Sequence, residues 1–181
     1  MKYMFALFIT TSLFFDVKSQ NLNKEIGILN TFIRDYLKVE SKVFYNLGVD
    51  STIKQTTLES VLSGILKDKI KPRTKKTIID NILLNPDEIS EVSQKIKYVE
   101  NFPLKRNSLE NSKLVKKNNT ISSKPFTYYT FSRPIFFRND TMCIIMYNYA
   151  CGVRCGEGFS LVFMKIDGEW TRLFILESYV S

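Results

Sequence analysis

The stretch from Phe131 to Ser181 constrains the fold more than any other part of the chain. Four runs rich in aromatic and β-branched residues, Pro134 to Arg138, Thr141 to Tyr149, Phe159 to Ile166 and Glu169 to Tyr179, are separated by turn residues. This is the pattern of consecutive antiparallel strands. Asp167-Gly168 fixes the last connection, because a two-residue type I′ turn needs positive φ at both central positions and Asp and Gly tolerate it. Such a turn pairs Ile166 with Glu169, so that Phe163 faces Arg172, Leu161 faces Phe174 and Phe159 faces Leu176 on one face, and Val162 faces Leu173 on the other. Asn139-Asp140 closes the first hairpin in the same way, setting Phe137 opposite Met142 and Phe136 opposite Cys143. Strand side chains alternate between faces, so Met142 to Met146 is apolar on both and predicts a central strand covered on both sides. One cover must be the helices upstream; the other is the sheet curling on itself or a partner.

Between the second and third runs, Ala150 to Gly158 reads A-C-G-V-R-C-G-E-G. Its glycines predict backbone held in conformations that side chains would forbid. Ser132-Arg133-Pro134, the C-G-x-x-C-G-x-G residues Cys151 to Gly158, and Asp167-Gly168-Glu169-Trp170 together resemble the tail of uncharacterised secreted proteins of the Bacteroidota. In those proteins an S-R-P-I-F segment, a Cys/Gly loop and a K-x-x-G-x-W hairpin recur. Here Gly152, Val153 and Arg154 separate the two cysteines. The resemblance covers the last third of the chain and implies export and this fold, with no activity attached.

Met1 to Ser19 has the layout of a secretory signal peptide: Lys2 in the n-region, an apolar run from Met4 to Phe15, and Val17-Lys18-Ser19 before cleavage at Gln20. The run is too short to span a bilayer. Cleavage takes the 181 residues to 181 − 19 = 162 and, by removing Lys2, Lys18 and Asp16, the formal charge of +8 to 8 − 2 + 1 = +7. That length suits one domain, residues 20–181, and export makes disulfides permissible.

Apolar residues from Leu22 to Phe44 recur at helical spacing and predict one long amphipathic helix from Asn21 to about Asn46. A second helix is predicted from Thr56 to Lys67, ended by Pro72, and a short third from Thr74 to Leu84. Asn85-Pro86-Asp87-Glu88 is a strong start signal, with Asn as cap, Pro at the first helical position and Glu three residues after the cap. The helix after it should bury Ile89, Val92, Ile96 and Val99. Leu104 to Lys124 reads as a loop in which Leu114-Val115 is the one candidate edge strand. The fold class is thus α+β: N-terminal amphipathic helices (20–103), a loop or linker (104–125) and a four-stranded antiparallel meander (126–181), with the helices packed on the sheet.

The chain has no histidine. This removes the commonest general base, every Ser-His-Asp and Cys-His arrangement, and the commonest ligand for zinc, copper and non-haem iron. No phosphate-binding glycine loop or acidic metal motif is present, and no metal or cofactor is implied. In an exported protein, Cys151 and Cys155 in one glycine-rich loop read as a disulfide that fixes loop shape, flanked by Gly152, Arg154, Gly156, Glu157 and Gly158. The residues leave open a bond from Cys143 to either cysteine, free thiols, and a redox pair helped by Arg154. Basic residues cluster at Lys67, Lys69, Lys71, Arg73, Lys75 and Lys76, and again between Lys105 and Lys117. These form a solvated surface or a contact for anionic lipid, polysaccharide or an envelope protein; export disfavours nucleic acid. Tyr128, Tyr129 and Phe131 read as core, with an aromatic contact patch as the alternative.

The leading functional expectation is a non-enzymatic binding or interaction module, periplasmic or extracellular, presenting the Cys/Gly loop. A hydrolase-type pocket built from Lys, Ser or carboxylates is the alternative, and a thiol-disulfide protein the third. Mass spectrometry of the exported protein should find its N-terminus at or near Gln20; retention of Lys2 would refute the signal segment.

Overall fold

The computed structural model describes residues 22–37, 43–48, 50–69, 79, 81–99, 109–114, 128–150 and 156–180. The signal segment, Cys151 to Cys155, Lys71 to Lys76 and most of the expected loop lie outside these residues. A helix over 22–31 (α1) runs into a π-helical turn at Phe32–Leu37, followed by β1 (Val43–Leu47) and α2 (Ser51–Leu62). Then come β2 (Ile65–Lys67), β3 (Asn81–Leu83), α3 (Pro86–Lys97), β4 (Ser112–Leu114), β5 (Tyr128–Phe131), β6 (Ile135–Phe137), β7 (Met142–Ala150), β8 (Gly156–Ile166) and β9 (Glu169–Val180). Helices together with an antiparallel sheet make this an α+β fold.

Helical spacing overreached at two places. The helix expected to reach Asn46 gives way to β1, in which buried Val43 and Tyr45 alternate at strand period and pair in parallel with β4 and β5. Tertiary pairing of β-branched and aromatic residues there overrides the helical pattern. The second helix starts earlier than expected, because the Asp50 side chain accepts from the Thr52 N–H at 2.7 Å, and it stops at Leu62. Gly64, at φ +75, then turns the chain into β2, whose antiparallel partner β3 occupies the end of the expected third helix. The Asn85 signal is realised in full: Asn85 Oδ1 accepts from the Glu88 N–H, and the Glu88 side chain accepts from the Asn85 N–H.

Among the described residues seven strands form one sheet, in the order β4-β1-β5-β7-β8-β9 with β6 also on β7. The expected meander β6 to β9 is antiparallel, and β5, β1 and β4 extend it, the last two through parallel pairs. The turn predictions fix the register near each turn: Ile166 faces Glu169, Phe163 faces Arg172, Phe137 faces Met142 and Phe136 faces Cys143. Farther from the last turn the register slips. Val162 faces Phe174, Leu161 faces Ile175 and Phe159 faces Ser178, because the pairing shifts at two irregularities, one beside Leu173 and one beside Leu176.

Those shifts have a packing cause. Leu173 and Phe174 are sequence neighbours and would point to opposite faces of a regular strand, yet both are buried in one cluster with Leu176. The second shift lets Tyr179, three residues beyond Leu176, join the same side. A third irregularity lies between β5 and β6. Phe131 faces Tyr147 and Ile135 faces Ile144, so four steps on this side match three on β7. Phe131 therefore points into one cluster and Ile135 into the other. Ser132 closes the gap by donating its N–H to Met146 O at 2.9 Å and accepting the Met146 N–H on its Oγ at 3.0 Å.

β7 is buried from Met142 to Tyr147. Met142, Ile144 and Met146 share a cluster with Ile53 and Val61 of α2 and Val92 and Ile96 of α3. Cys143, Ile145 and Tyr147 share the other with Ile28, Leu29, Phe32 and Ile33. Phe32 sits 5.5 Å from the Phe131 ring and 5.0 Å from that of Tyr147. Each fully buried aliphatic side chain here contributes ~1.5 to 3 kcal/mol.

Arg138, at φ +51 beside the first turn, ties this turn to α3: its Nε donates to Glu88 Oε1 at 2.6 Å and its guanidinium also reaches the Leu83 carbonyl. The hydrogen bond from Arg138 holds the Glu88 carboxyl below the ordinary glutamate range against the opposing effect of burial. A carboxyl lowered in the folded state contributes stability above its unfolded value and loses it as pH falls through its folded one. Glu88→Gln is expected to cost ~1 to 2 kcal/mol at neutral pH, with the deficit fading as pH falls below the ordinary glutamate range and through the lowered folded-state value. Denaturant titration across that range reads it, and a deficit constant with pH would contradict the assignment.

Candidate functional site

A cleft of about 650 Å³ opens where α1, the end of α3 and the Arg133–Phe136 segment meet. Pro134, Ile135, Phe136 and Val99 supply its apolar lining, and Glu25, Gln94, Lys95, Arg133, Asp140 and Tyr98 its polar groups. The irregularity at Ser132 builds one wall, since the proline has no N–H to give a neighbouring strand and the kink turns Arg133 towards α1.

The charges of the cleft are paired. Glu25 is 6 % exposed and its Oε1 accepts from both Nε and Nη2 of Arg133, at 3.2 and 2.8 Å. Lys24 pairs with Asp140 while its Nζ stands 4.2 Å from the centre of the Phe136 ring. Lys95 pairs with Glu91 one helical turn back and donates to the Phe136 carbonyl at 2.7 Å. Phe136 is backed by Trp170, ring centres 5.8 Å apart, so the tryptophan supports this wall. Tyr98, at the C-cap of α3, is 79 % exposed.

The residues singled out from sequence fall elsewhere. Cys151, Gly152, Arg154 and Cys155 lie outside the described residues, and the expected disulfide with them. Gly156 and Gly158 are in β8, opposite Ala150 and Asn148. The need for glycine at 158 is one of space and not of backbone angle: an added Cβ would stand 1.9 Å from Cε1 of Tyr179. That ring lies across the strand, its hydroxyl accepting from Asn148 Nδ2 at 2.5 Å. Glu157 is exposed in the pair with Tyr149 and Val180, a solvated carboxylate. Lys67 is exposed on β2 and Lys69 pairs with Glu177 at 3.5 Å; Lys71, Arg73, Lys75 and Lys76 lie outside the described residues.

Cys143 is a free thiol buried at 0 % exposure, and burial pushes its pKa well above the ordinary range, which makes it inert. The aromatic residues before the sheet are core or half-buried: Phe131 is enclosed, and Tyr129, 5.2 Å from Tyr149, has its hydroxyl pKa raised by burial. No group of three or more His, Cys, Asp or Glu side chains suited to a metal ion occurs among the described residues. No helix among them is long and apolar enough to cross a membrane.

Sequence reasoning did not assemble the cleft, though one signal was present. Glu25 falls between Leu22, Ile26 and Leu29 on the apolar stripe of α1, and a carboxylate there requires a buried partner. No family model, curated protein or solved structure matches the chain.

Proposed function

We propose that the chain is an exported, non-enzymatic binding module whose ligand site is the cleft between α1, α3 and the Arg133–Phe136 segment. The observation that carries this reading is the state of the cleft's ionisable groups: Glu25, Asp140, Lys24, Lys95 and Arg133 are each engaged in an ion pair. A recognition site needs apolar walls with a few fixed polar groups, and the ion pairs fix the polar groups here. The size of the cleft suits a small or segmental ligand.

Export, by cleavage near Ser19-Gln20 to a secreted or periplasmic form, rests on the signal-like N-terminus and on the resemblance of the Ser132-Arg133-Pro134, Cys/Gly and Asp167-Gly168-Glu169-Trp170 segments to secreted Bacteroidota proteins. The reading takes the amphipathic helices of the N-terminal half as the packing partner of the meander, supported by the two mixed clusters around β7. It takes Cys151 and Cys155 as a disulfide that shapes the bend between β7 and β8.

Amide-detected NMR titration with a fragment library tests the binding role. Shifts gathered on Gln94, Tyr98, Val99, Ile135 and Phe136 are expected, with no turnover of ester, amide or glycoside reporters. Turnover abolished by Glu25→Gln or Lys95→Met would make the cleft an active site and overturn the reading.

A further inference from the structure

From the charge balance of the cleft we infer that its ligand is a neutral oligosaccharide, an inference that rests on the cleft being a binding site at all. Among the described residues the charges that line the cleft are Lys95, Arg133, Glu25 and Asp140, two of each sign, and with Lys24 and Glu91 from outside the lining they form three ion pairs. The sum is zero. A ligand of net charge must either break one of these pairs or be desolvated without a net Coulombic return. A ligand dense in hydroxyls faces neither cost, because each hydroxyl both donates and accepts and so bridges the members of a pair while the pair stays closed. Hydrogen bonds to charged groups are also the stronger ones.

The aromatic groups supply the second half of the recognition. Tyr98 at the rim is 79 % exposed, a large planar side chain left in water at the end of α3. The C–H face of a pyranose ring is apolar and flat, and an exposed phenol ring covers it without a desolvation penalty to either hydroxyl set. Phe136 below is already covered by Lys24 and Trp170, so it forms floor, and Tyr98 is the stacking platform. Gln94, exposed one turn earlier on the same helix, adds an uncharged donor and acceptor.

An extended peptide is the competing occupant, and the geometry disfavours it. Its natural mode would be to add a strand to the outer edge of β6. The Phe136 carbonyl on that edge is already taken by Lys95 Nζ of α3 at 2.7 Å, so the helix covers the edge at this point.

Trp170 is the one tryptophan of the chain and touches Phe136, so its emission reports on the cleft. The full mature chain would be titrated with cellotriose, maltotriose and N-acetylchitotriose, with trigalacturonate and short neutral peptides alongside, by fluorescence and calorimetry. At least one neutral trisaccharide should bind saturably, with an affinity that changes less than about twofold across the salt range that screens surface charge. Tyr98→Ala should weaken it roughly three- to tenfold with an unchanged melting temperature, as the ring is exposed. Gln94→Ala should weaken it too.

Preference for trigalacturonate with steep salt dependence, or peptide binding at Gln94 and Tyr98 without sugar binding, would overturn the ligand class and leave the binding role standing. Absence of binding by all three neutral sugars would also overturn it. Amide shifts confined to another surface would remove both.

Discussion

Burial of β7 on both faces is the constraint from which the other features follow. A strand with Met142, Ile144 and Met146 on one side and Cys143, Ile145 and Tyr147 on the other cannot lie at a surface, so each face needs an apolar cover. One cluster draws on α2, α3 and the β2–β3 pair, the other on α1 and its π-helical turn. The strand is also the hub of the ladder, carrying β5 and β6 on one edge and β8 on the other.

Filling two clusters from one sheet demands that neighbouring strands send particular side chains to particular sides, and strict alternation does not always allow it. The irregularities at Ser132, Leu173 and Leu176 change the side on which the following residues point. Each stands where the apolar pattern conflicts with a period of two. At Ser132 the same local break also produces the wall of the cleft, because Arg133 leaves the ladder and meets the buried carboxylate of Glu25. Packing of the core and shape of the candidate site are thus set by one residue insertion.

What could be read from the sequence was local. Asp167-Gly168, Asn139-Asp140 and the Asn85 capping signal act through backbone angles and nearby hydrogen bonds, and they fix turns, register beside those turns and the start of α3. What escaped was non-local. β1 and the β2–β3 pair take their form from partners distant in sequence, and an apolar run of the length of Ile65–Lys67 carries no period of its own. The register slip was legible in principle, since Leu173-Phe174 places two large apolar residues side by side near the end of a hairpin. The cleft was illegible for a different reason: Glu25, Lys95, Arg133 and Asp140 come from three separate segments, and only the carboxylate on the apolar stripe of α1 hinted at it.

The cleft lies beside the hub of the sheet and inherits its rigidity. Phe136 is fixed from behind by Trp170, Arg133 by Glu25, and the end of α3 by Lys95 on the Phe136 carbonyl. A site held this way suits recognition by a preformed surface. All of it depends on β7 being the most protected element of the protein. Native-state hydrogen exchange measures this directly: the amides of Cys143 to Tyr147 are expected to exchange only through global unfolding, while those of Ile65–Lys67 and Asn81–Leu83 open locally and faster. Exchange of the β7 amides as rapid as that of the β2–β3 pair would contradict the account.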